Sequence, residues 1–358
     1  MKEPLARYHS ILDGRSKAYY LLAKDMHTDF SPSLTDEELW KLHADQIAAF
    51  HSHVDVEEFK RGSKEGLSAP ATSLLDLKLE LAKRMLSRCE ICEWRCQVNR
   101  NKGVKGRCGV LDPRIASEFL HYGEEPPLIP SYTIFFSGCN FKCVFCQNYD
   151  ISTHPDEGIC VPPQRLAAKI ADRFGGRACS KVISAMRVWT PTSAVNVNWV
   201  GGDPTPNLHY VLDVLKYSVV NIPQIWNSNM FLTEKSMELL DGIIDVYLTD
   251  FKYGNNSCAK RLSGVQNYFE IVSRNHLLAA KQAEVIVRHL VLPNHIECCT
   301  KPVLKWIAEN IPSALVNVMD QYRPVHRAFE HRDINRPLKP SEFQEAYDLA
   351  QELNLHLV

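Results

Sequence analysis

The chain has 358 residues, 45% hydrophobic and 23% charged, an average soluble composition that excludes a disordered chain, a collagen-like repeat and a coiled-coil rod. Lys and Arg total 41 against 42 Asp and Glu, a formal net charge of −1, which argues against a protein whose main task is gripping duplex nucleic acid or anionic lipid. At roughly 150 residues per domain the length suggests about two domains, or one large α/β domain with an added module. No run of about 18 apolar residues marks a membrane span, and Met1-Lys-Glu-Pro-Leu-Ala-Arg7 lacks the apolar core of a signal peptide. The 12 cysteines fall in clusters at short spacings. In that context they read as metal ligands in a reducing, cytoplasmic setting rather than as disulfides.

Thr35-x-x-Glu38 has the form of a capping box, and Leu39, Leu42, Ile47 and Phe50 follow at helical spacing. Arg61 to Thr72 reads as a loop, and Leu74 to Ser87 as a second helix. Residues 1–88 therefore form an expected N-terminal helical region and 89–131 a Cys-rich metal-binding segment. From 132 to 358 strands alternate with helices. Expected strands are Thr133–Ser137, Val195–Val200, Pro223–Asn227, Ile243–Leu248, Glu284–Leu292 and Ala314–Met319. Expected helices carry Leu166, Ile170 and Phe174, start at Thr205-Pro206, are capped by Thr233, and run from Tyr268 to Ala283 and from Thr300 to Asn310. Ser341-x-x-Gln344 is expected to cap the last one. About six β-α units imply an incomplete (β/α)6 barrel of the TIM type, since eight would close it.

The segment Gly138-Cys139-Asn-Phe-Lys-Cys143-Val-Phe-Cys146 follows the first of these strands, so it belongs on the loop at the C-terminal rim, where α/β barrels place chemistry. Three thiolates can hold three irons of a [4Fe–4S] cluster and leave the fourth open to a small molecule. The alternative is a zinc knot completed by His154. The C-x3-C-x2-C spacing with its strand resembles the radical S-adenosylmethionine superfamily. Further matches are Gly201-Gly-Asp-Pro204 after the second strand, Gly123-Glu-Glu-Pro-Pro127, Thr249-Asp-Phe-Lys-Tyr253, Val287-Arg-His-Leu-Val-Leu-Pro293 and Val316-Asn-Val-Met-Asp-Gln-Tyr322. Together with the first cysteine group they resemble the pyruvate formate-lyase activating enzyme-related group often called PflX. The motifs run from Cys89 towards the C-terminus and leave residues 1–70 uncovered.

That resemblance implies a cluster on Cys139, Cys143 and Cys146 that, with S-adenosylmethionine, generates a 5′-deoxyadenosyl radical for hydrogen abstraction. It implies Phe145 near the adenine, Gly201, Gly202 and Asp203 at the methionine end, and Asp250 and Lys252 near the cofactor. Arg288 and Asp320 would face the substrate, with Asn227 a further rim candidate. Each of these charges could equally be a rim residue in a salt bridge. The implied partners are an electron donor such as flavodoxin or ferredoxin and a substrate that includes a protein glycine among its candidates. A small molecule or RNA is the alternative substrate, and a non-catalytic zinc module the alternative class.

Cys89, Cys92, Cys96 and Cys108 supply four thiolates, enough for a closed structural zinc or a second iron–sulfur cluster that relays electrons or binds substrate. The intervening Arg95, Arg100, Lys102, Lys105 and Arg107 read as neutralising those thiolates rather than as touching nucleic acid phosphates. His51-Ser-His53 reads as solvated, and Cys298–Cys299 as a buried structural pair opening the helix at Thr300.

Overall fold

The computed structural model describes residues 3–59, 71–175 and 193–358. Cys179 and most of the loop expected over Arg61 to Thr72 lie outside them. Four helices come first: α1 (Ala6–Leu12), α2 (Tyr19–Asp25), α3 (Asp36–Phe59) and α4 (Leu74–Met85). Then follow β1 (Ile115–His121), β2 (Ser131–Phe136), α5 (Tyr149–Ser152), α6 (Pro163–Gly175), β3 (Asn196–Gly201), α7 (Leu208–Tyr217), β4 (Gln224–Ser228) and α8 (Glu234–Leu240). The last part holds β5 (Val246–Asp250), α9 (Asn256–Ser263), α10 (Tyr268–Gln282), β6 (Glu284–Leu290), α11 (Lys301–Asn310), β7 (Leu315–Met319), α12 (Pro340–Glu352) and β8 (His356–Leu357).

The strands form one open eight-stranded sheet in the order β1 to β8. β1 pairs antiparallel to β2, and every later neighbour is parallel. β2 to β7 are the six expected strands, and they make a partial barrel. β2, β3 and β4 are buried almost throughout, because a parallel sheet with helices outside it leaves neither face to water. β1 and β8 were not anticipated. β1 sits on the sheet edge and, after the buried Ile115, runs through half-buried and exposed residues, so it carries no continuous apolar run.

The N-terminal helices are fastened to the barrel end opposite the triplet loop. Glu284, at the start of β6, accepts from the backbone N–H groups of Arg7 (3.0 Å) and Tyr8 (2.8 Å). Asp245, just before β5, accepts from Tyr19 N (2.9 Å) and Gln224 N (2.8 Å). Each carboxylate satisfies orphan donors at the start of a helix, α1 or α2. Those caps come from distant residues, which is why local sequence gave no sign of either helix. α4 has its own capping box, Ser73 with Asp76. It also buries Leu74, Leu75, Leu77, Leu79 and Leu81, worth roughly 2 kcal/mol apiece. The Thr35–Glu38 box and the Thr233 cap both form. The final helix is corrected: it starts at Pro340, and the carboxylate of Glu342, not Gln344, accepts from Lys339 N at 3.0 Å. Proline at the first helical position moves the start back.

Candidate functional site

The loop after β2 carries Cys139, Cys143 and Cys146 at the C-terminal rim of the sheet. Its course is set by α9. Lys142 N and Val144 N donate to the carbonyls of Ser263 (3.1 Å) and Leu262 (2.9 Å). The sulfurs receive donors of their own: Phe141 N to Cys139 at 3.3 Å, Asn229 Nδ2 to Cys139 at 3.8 Å, and Ser263 Oγ to Cys143 at 2.9 Å. Cys146 Sγ lies 3.3 Å from Ser152 Oγ. Burial pushes the Cys143 thiol up to about 11, against the pull of the Lys252 ammonium. Burial also raises Cys139, helped by the nearby Asp203 carboxylate. A bound cation reverses that balance by taking the protons' place.

Among the described residues, no three sulfurs of this triplet lie mutually within 4.8 Å, and the same holds for Cys89, Cys92, Cys96 and Cys108. A lone tetrahedral zinc with about 2.3 Å bonds needs thiolates about 3.8 Å apart. Three thiols on one loop, each with a polar neighbour, are a donor set that suits three irons of a [4Fe–4S] cluster. His154 does not join them; its Nδ1 lies 2.8 Å from the Asp150 carbonyl oxygen.

β3 ends against this loop. Gly201 has φ 127, and a Cβ there would sit 2.1 Å from Phe136 N; one on Gly202 would sit 2.1 Å from Gly138 O. Only glycine lets the strand end lie this close to the backbone leading into Cys139. Asp203 is buried, and its oxygens accept from Thr205 N (2.9 Å), Asn229 N (2.9 Å) and Ser228 Oγ (3.2 Å). It therefore braces the end of β3 to the end of β4. Asn229 continues the brace, donating to Asn140 Oδ1 at 2.7 Å. Asn227 is buried on β4 beside it. Ser228, Asn229 and Ser263 escaped the sequence reading, although the run Asn227-Ser-Asn229 was in view.

Phe145 is buried, its ring centroid 6.4 Å from that of Tyr253 and 5.9 Å from that of Tyr322. Lys252 forms an ion pair with Asp250. Burial works to discharge Lys252, but Asp250 and the Cys143 thiol hold its pKa above the ordinary value. Asp320 is exposed just past β7.

Arg288, expected on the substrate side, is already committed. Its guanidinium donates to Glu125 at 2.7 Å twice, and to Glu124. Glu124 also meets Asn198 Nδ2 (2.9 Å) and His121 Nδ1 (3.0 Å), and Glu125 accepts from Asn317 Nδ2 (2.8 Å). Asn198 is on β3, Arg288 on β6 and Asn317 on β7. Two adjacent carboxylates can reach all three strands only across the concave side of the sheet. Burial works to raise the Glu124 carboxyl, yet His121 and Arg288 hold it below the ordinary range. Arg288→Met is expected to destabilise the fold by about 3–5 kcal/mol, because it strands two buried carboxylates. Adding Glu124→Gln and Glu125→Gln should recover part of that loss. Urea unfolding of the three proteins checks this, and equal stability of wild type and Arg288→Met would refute it.

The first cysteine group abuts the triplet loop. Trp94, between Cys92 and Cys96, donates Nε1 to the Asn140 carbonyl at 2.7 Å. Its ring lies 5.6 Å from that of Phe231, which lies 5.4 Å from that of Phe141. Arg107 stacks over Trp94 at 3.8 Å and donates to Gly264 O at 3.1 Å, so at least one of the intervening basic residues works in packing. His51 meets Asp241 at 3.0 Å. The Cys298–Cys299 reading is corrected. The two cysteines lie in a π-helical turn, Ile296–Thr300, with Cys299 buried and Cys298 open to solvent. They converge with Cys258 and His295. The missed signal was His295-x2-Cys-Cys, whose fourth member lies on a different element.

A family model described as the Radical SAM superfamily matches residues 133–307. The uncharacterized protein MJ0674 of Methanocaldococcus jannaschii is 45% identical over 358 residues, 99% of each chain. Among solved structures, methylornithine synthase (PylB) is similar at a TM-score of 0.43 with 14% identity, over 98% of this chain and 84% of that one. A domain of pyruvate-formate lyase-activating enzyme from Bacteroides vulgatus gives 0.37 with 15% identity, over 46% of this chain and 97% of its own.

Proposed function

The chain belongs to the radical S-adenosylmethionine superfamily, and from that premise we propose that it cleaves S-adenosylmethionine reductively to abstract hydrogen from a substrate carbon. The observation that carries this reading is the rim loop on which Cys139, Cys143 and Cys146 stand together, Cys139 hydrogen-bonded by Phe141 and Asn229 and Cys143 by Ser263. Cys139, Cys143 and Cys146 would hold a [4Fe–4S] cluster, which would supply the one electron that splits S-adenosylmethionine into methionine and the 5′-deoxyadenosyl radical that takes the substrate hydrogen.

The residues divide that work. Gly201 and Gly202 leave room for the methionine end, and Asp203 positions them through Ser228 and Asn229. Phe145, walled by Tyr253 and Tyr322, borders the adenine. The Asp250–Lys252 pair places a cation beside Cys143. Asn227 and Asp320 stand at the rim towards the substrate. Arg288 acts as a positioning residue for Glu124 and Glu125. Because their network occupies the concave side, it favours a substrate presented at the rim, and a glycine in a protein loop suits that approach.

Cys89, Cys92, Cys96 and Cys108 hold a second iron–sulfur cluster rather than zinc. The Trp94–Asn140 contact, which joins this group to the triplet loop, supports a relay from a flavodoxin or ferredoxin to the triplet. Residues 1–88, 89–131 and 132–358 would then serve as support, relay and catalytic barrel. The eleven described cysteines are all free thiols, which supports a reducing, cytoplasmic setting. No helix among the described residues is long and apolar enough to cross a membrane.

Anaerobic reconstitution with iron and sulfide, followed by chemical reduction, tests the reading. A brown protein that yields 5′-deoxyadenosine and methionine is expected, together with a co-purifying chain bearing a glycyl radical in electron paramagnetic resonance. A colourless, zinc-only protein without cleavage overturns it in favour of a zinc module. Cleavage with no radical-bearing partner moves the substrate to a small molecule or RNA.

A further inference from the structure

Cys258 on α9 and His295, Cys298 and Cys299 in the turn after β6 bring four ligand atoms mutually within 4.8 Å. Four of the six separations are fixed by close contacts. Cys258 Sγ lies 3.9 Å from Cys298 Sγ, which lies 3.8 Å from Cys299 Sγ. His295 Nδ1 lies 3.4 Å from Cys298 Sγ and 3.5 Å from Cys299 Sγ. A tetrahedral zinc with sulfur bonds of about 2.3 Å and a nitrogen bond of about 2.0–2.1 Å has edges of about 3.8 Å between sulfurs and about 3.5 Å from nitrogen to sulfur. The four contacts match those edges.

The surroundings are built for the same purpose. His295 is buried, and its Nε2 meets Asp333 Oδ2 at 2.9 Å. With the proton on Nε2, the Nδ1 lone pair faces the sulfurs, the arrangement in which a carboxylate orients a metal-binding histidine. Asp333 is itself held by Arg261, whose NH1 donates to Oδ1 at 3.0 Å. Asn255 donates Nδ2 to Cys258 Sγ at 3.4 Å and to the Cys298 carbonyl at 2.7 Å. Asn294 precedes His295 in a left-handed conformation, φ 62, and donates to the Asp333 carbonyl at 2.6 Å. A π-helical turn, which here carries Cys298 and Cys299 with His295 as its N-cap, is a feature often found at functional sites.

We propose that Cys258, His295, Cys298 and Cys299 hold a structural zinc ion, separate from both cysteine groups read from the sequence. Three thiolates and one imidazole in a closed tetrahedron select zinc and leave no position for substrate. The ion would tie α9 to the turn between β6 and α11. The end of α9 is the shelf that carries the triplet loop, through Ser263 Oγ to Cys143 and the carbonyls of Leu262 and Ser263. The zinc therefore secures the loop of the reactive centre without belonging to it.

The test is metal analysis of the full-length chain, purified anaerobically without added metal. Cys298→Ser, at the most open ligand, and Cys258→Ser should each lower zinc by one equivalent and leave iron unchanged. Asp333→Ala should weaken zinc about 10- to 100-fold in competition with a chelator. Should the serine variants fail to fold, zinc-edge X-ray absorption on the wild type still decides, with three sulfurs and one nitrogen expected around zinc. Zinc content unchanged in both variants overturns the proposal. So does a zinc shell of four sulfurs or of oxygens alone, or a Cys258–Cys298 disulfide in the anaerobic protein.

Discussion

Alanine in place of Cys139, Cys143 or Cys146 is expected to leave the fold intact while abolishing iron at the rim loop and with it any cleavage of S-adenosylmethionine. The fold survives because the loop is held by bonds that use no sulfur. These include Lys142 and Val144 on α9, and the Val144 carbonyl receiving Arg327 N at 2.8 Å. Activity does not survive, because two thiolates cannot secure a cube that already leaves one iron without a protein ligand. Cys160→Ala is the control: that cysteine is exposed, and its loss should change nothing. Ser263→Ala is subtler. It removes the donor to Cys143 Sγ at 2.9 Å, and hydrogen bonds to cluster sulfurs set reduction potentials. The cluster should assemble but become harder to reduce, giving a lower midpoint potential in spectroelectrochemical titration. Full cleavage activity in any of the three alanine variants would end the assignment. An unshifted potential in Ser263→Ala would remove only the role given to the serine.

The barrel was readable because β2 to β5 are buried almost throughout and therefore appear as short apolar runs ending in polar or glycine rims, and the buried positions of β6 and β7 are mostly apolar. Edge strand β1 was not, since Glu118 and His121 interrupt it and its place is set by pairing with β2. The triplet was readable because all three ligands share one loop. The Cys258–His295–Cys298–Cys299 grouping was not, because α9 brings its first member to a turn that lies beyond another helix and another strand. Arg288 makes the same point from the other side. Its motif was visible, and so was Gly123-Glu-Glu-Pro-Pro127, but only the folded sheet joins the guanidinium to Glu124 and Glu125. Local sequence reports chemistry carried on one element; it does not report chemistry assembled from two.

Stability is expected to fall by about 4 kcal/mol per pH unit around pH 5, and the cause is four histidines buried in the neutral form. Burial holds His43 down to about 2, with the Lys78 ammonium adding to the effect. It holds His209 down to about 3, with Arg100 and Lys83 adding to the effect, and His276 and His289 down to about 4. His276 is stacked on Phe251 at 4.8 Å, with Nδ1 2.8 Å from the Val272 carbonyl oxygen. His289 is fixed between the Phe251 carbonyl (2.7 Å) and Thr300 Oγ1 (2.9 Å). In the unfolded chain all four take up a proton as the pH drops below about 6.5, while the native rings do not. Protons thus favour the unfolded state, and stability declines with acidification. Asp245 opposes this. Burial raises its carboxyl to about 6, so the native state binds one proton that the unfolded chain takes only near 3.9. Four protons less about one leaves roughly three, and three at about 1.4 kcal/mol each set the slope. Lys78, brought down to about 7 by burial, titrates above this window. Asp333 and Glu342, held near 2 by Arg261 and Arg336 against burial, add their loss only below about pH 4. Melting temperatures between pH 7 and 4.5 measure the trend, and His276→Phe isolates its origin. The variant keeps the stack on Phe251 and removes one of the four histidine protons, so its slope should be visibly shallower than that of the wild type even if acid also releases iron. A melting temperature flat from pH 7 to 5, or an unchanged slope in His276→Phe, would exclude the buried histidines as the cause.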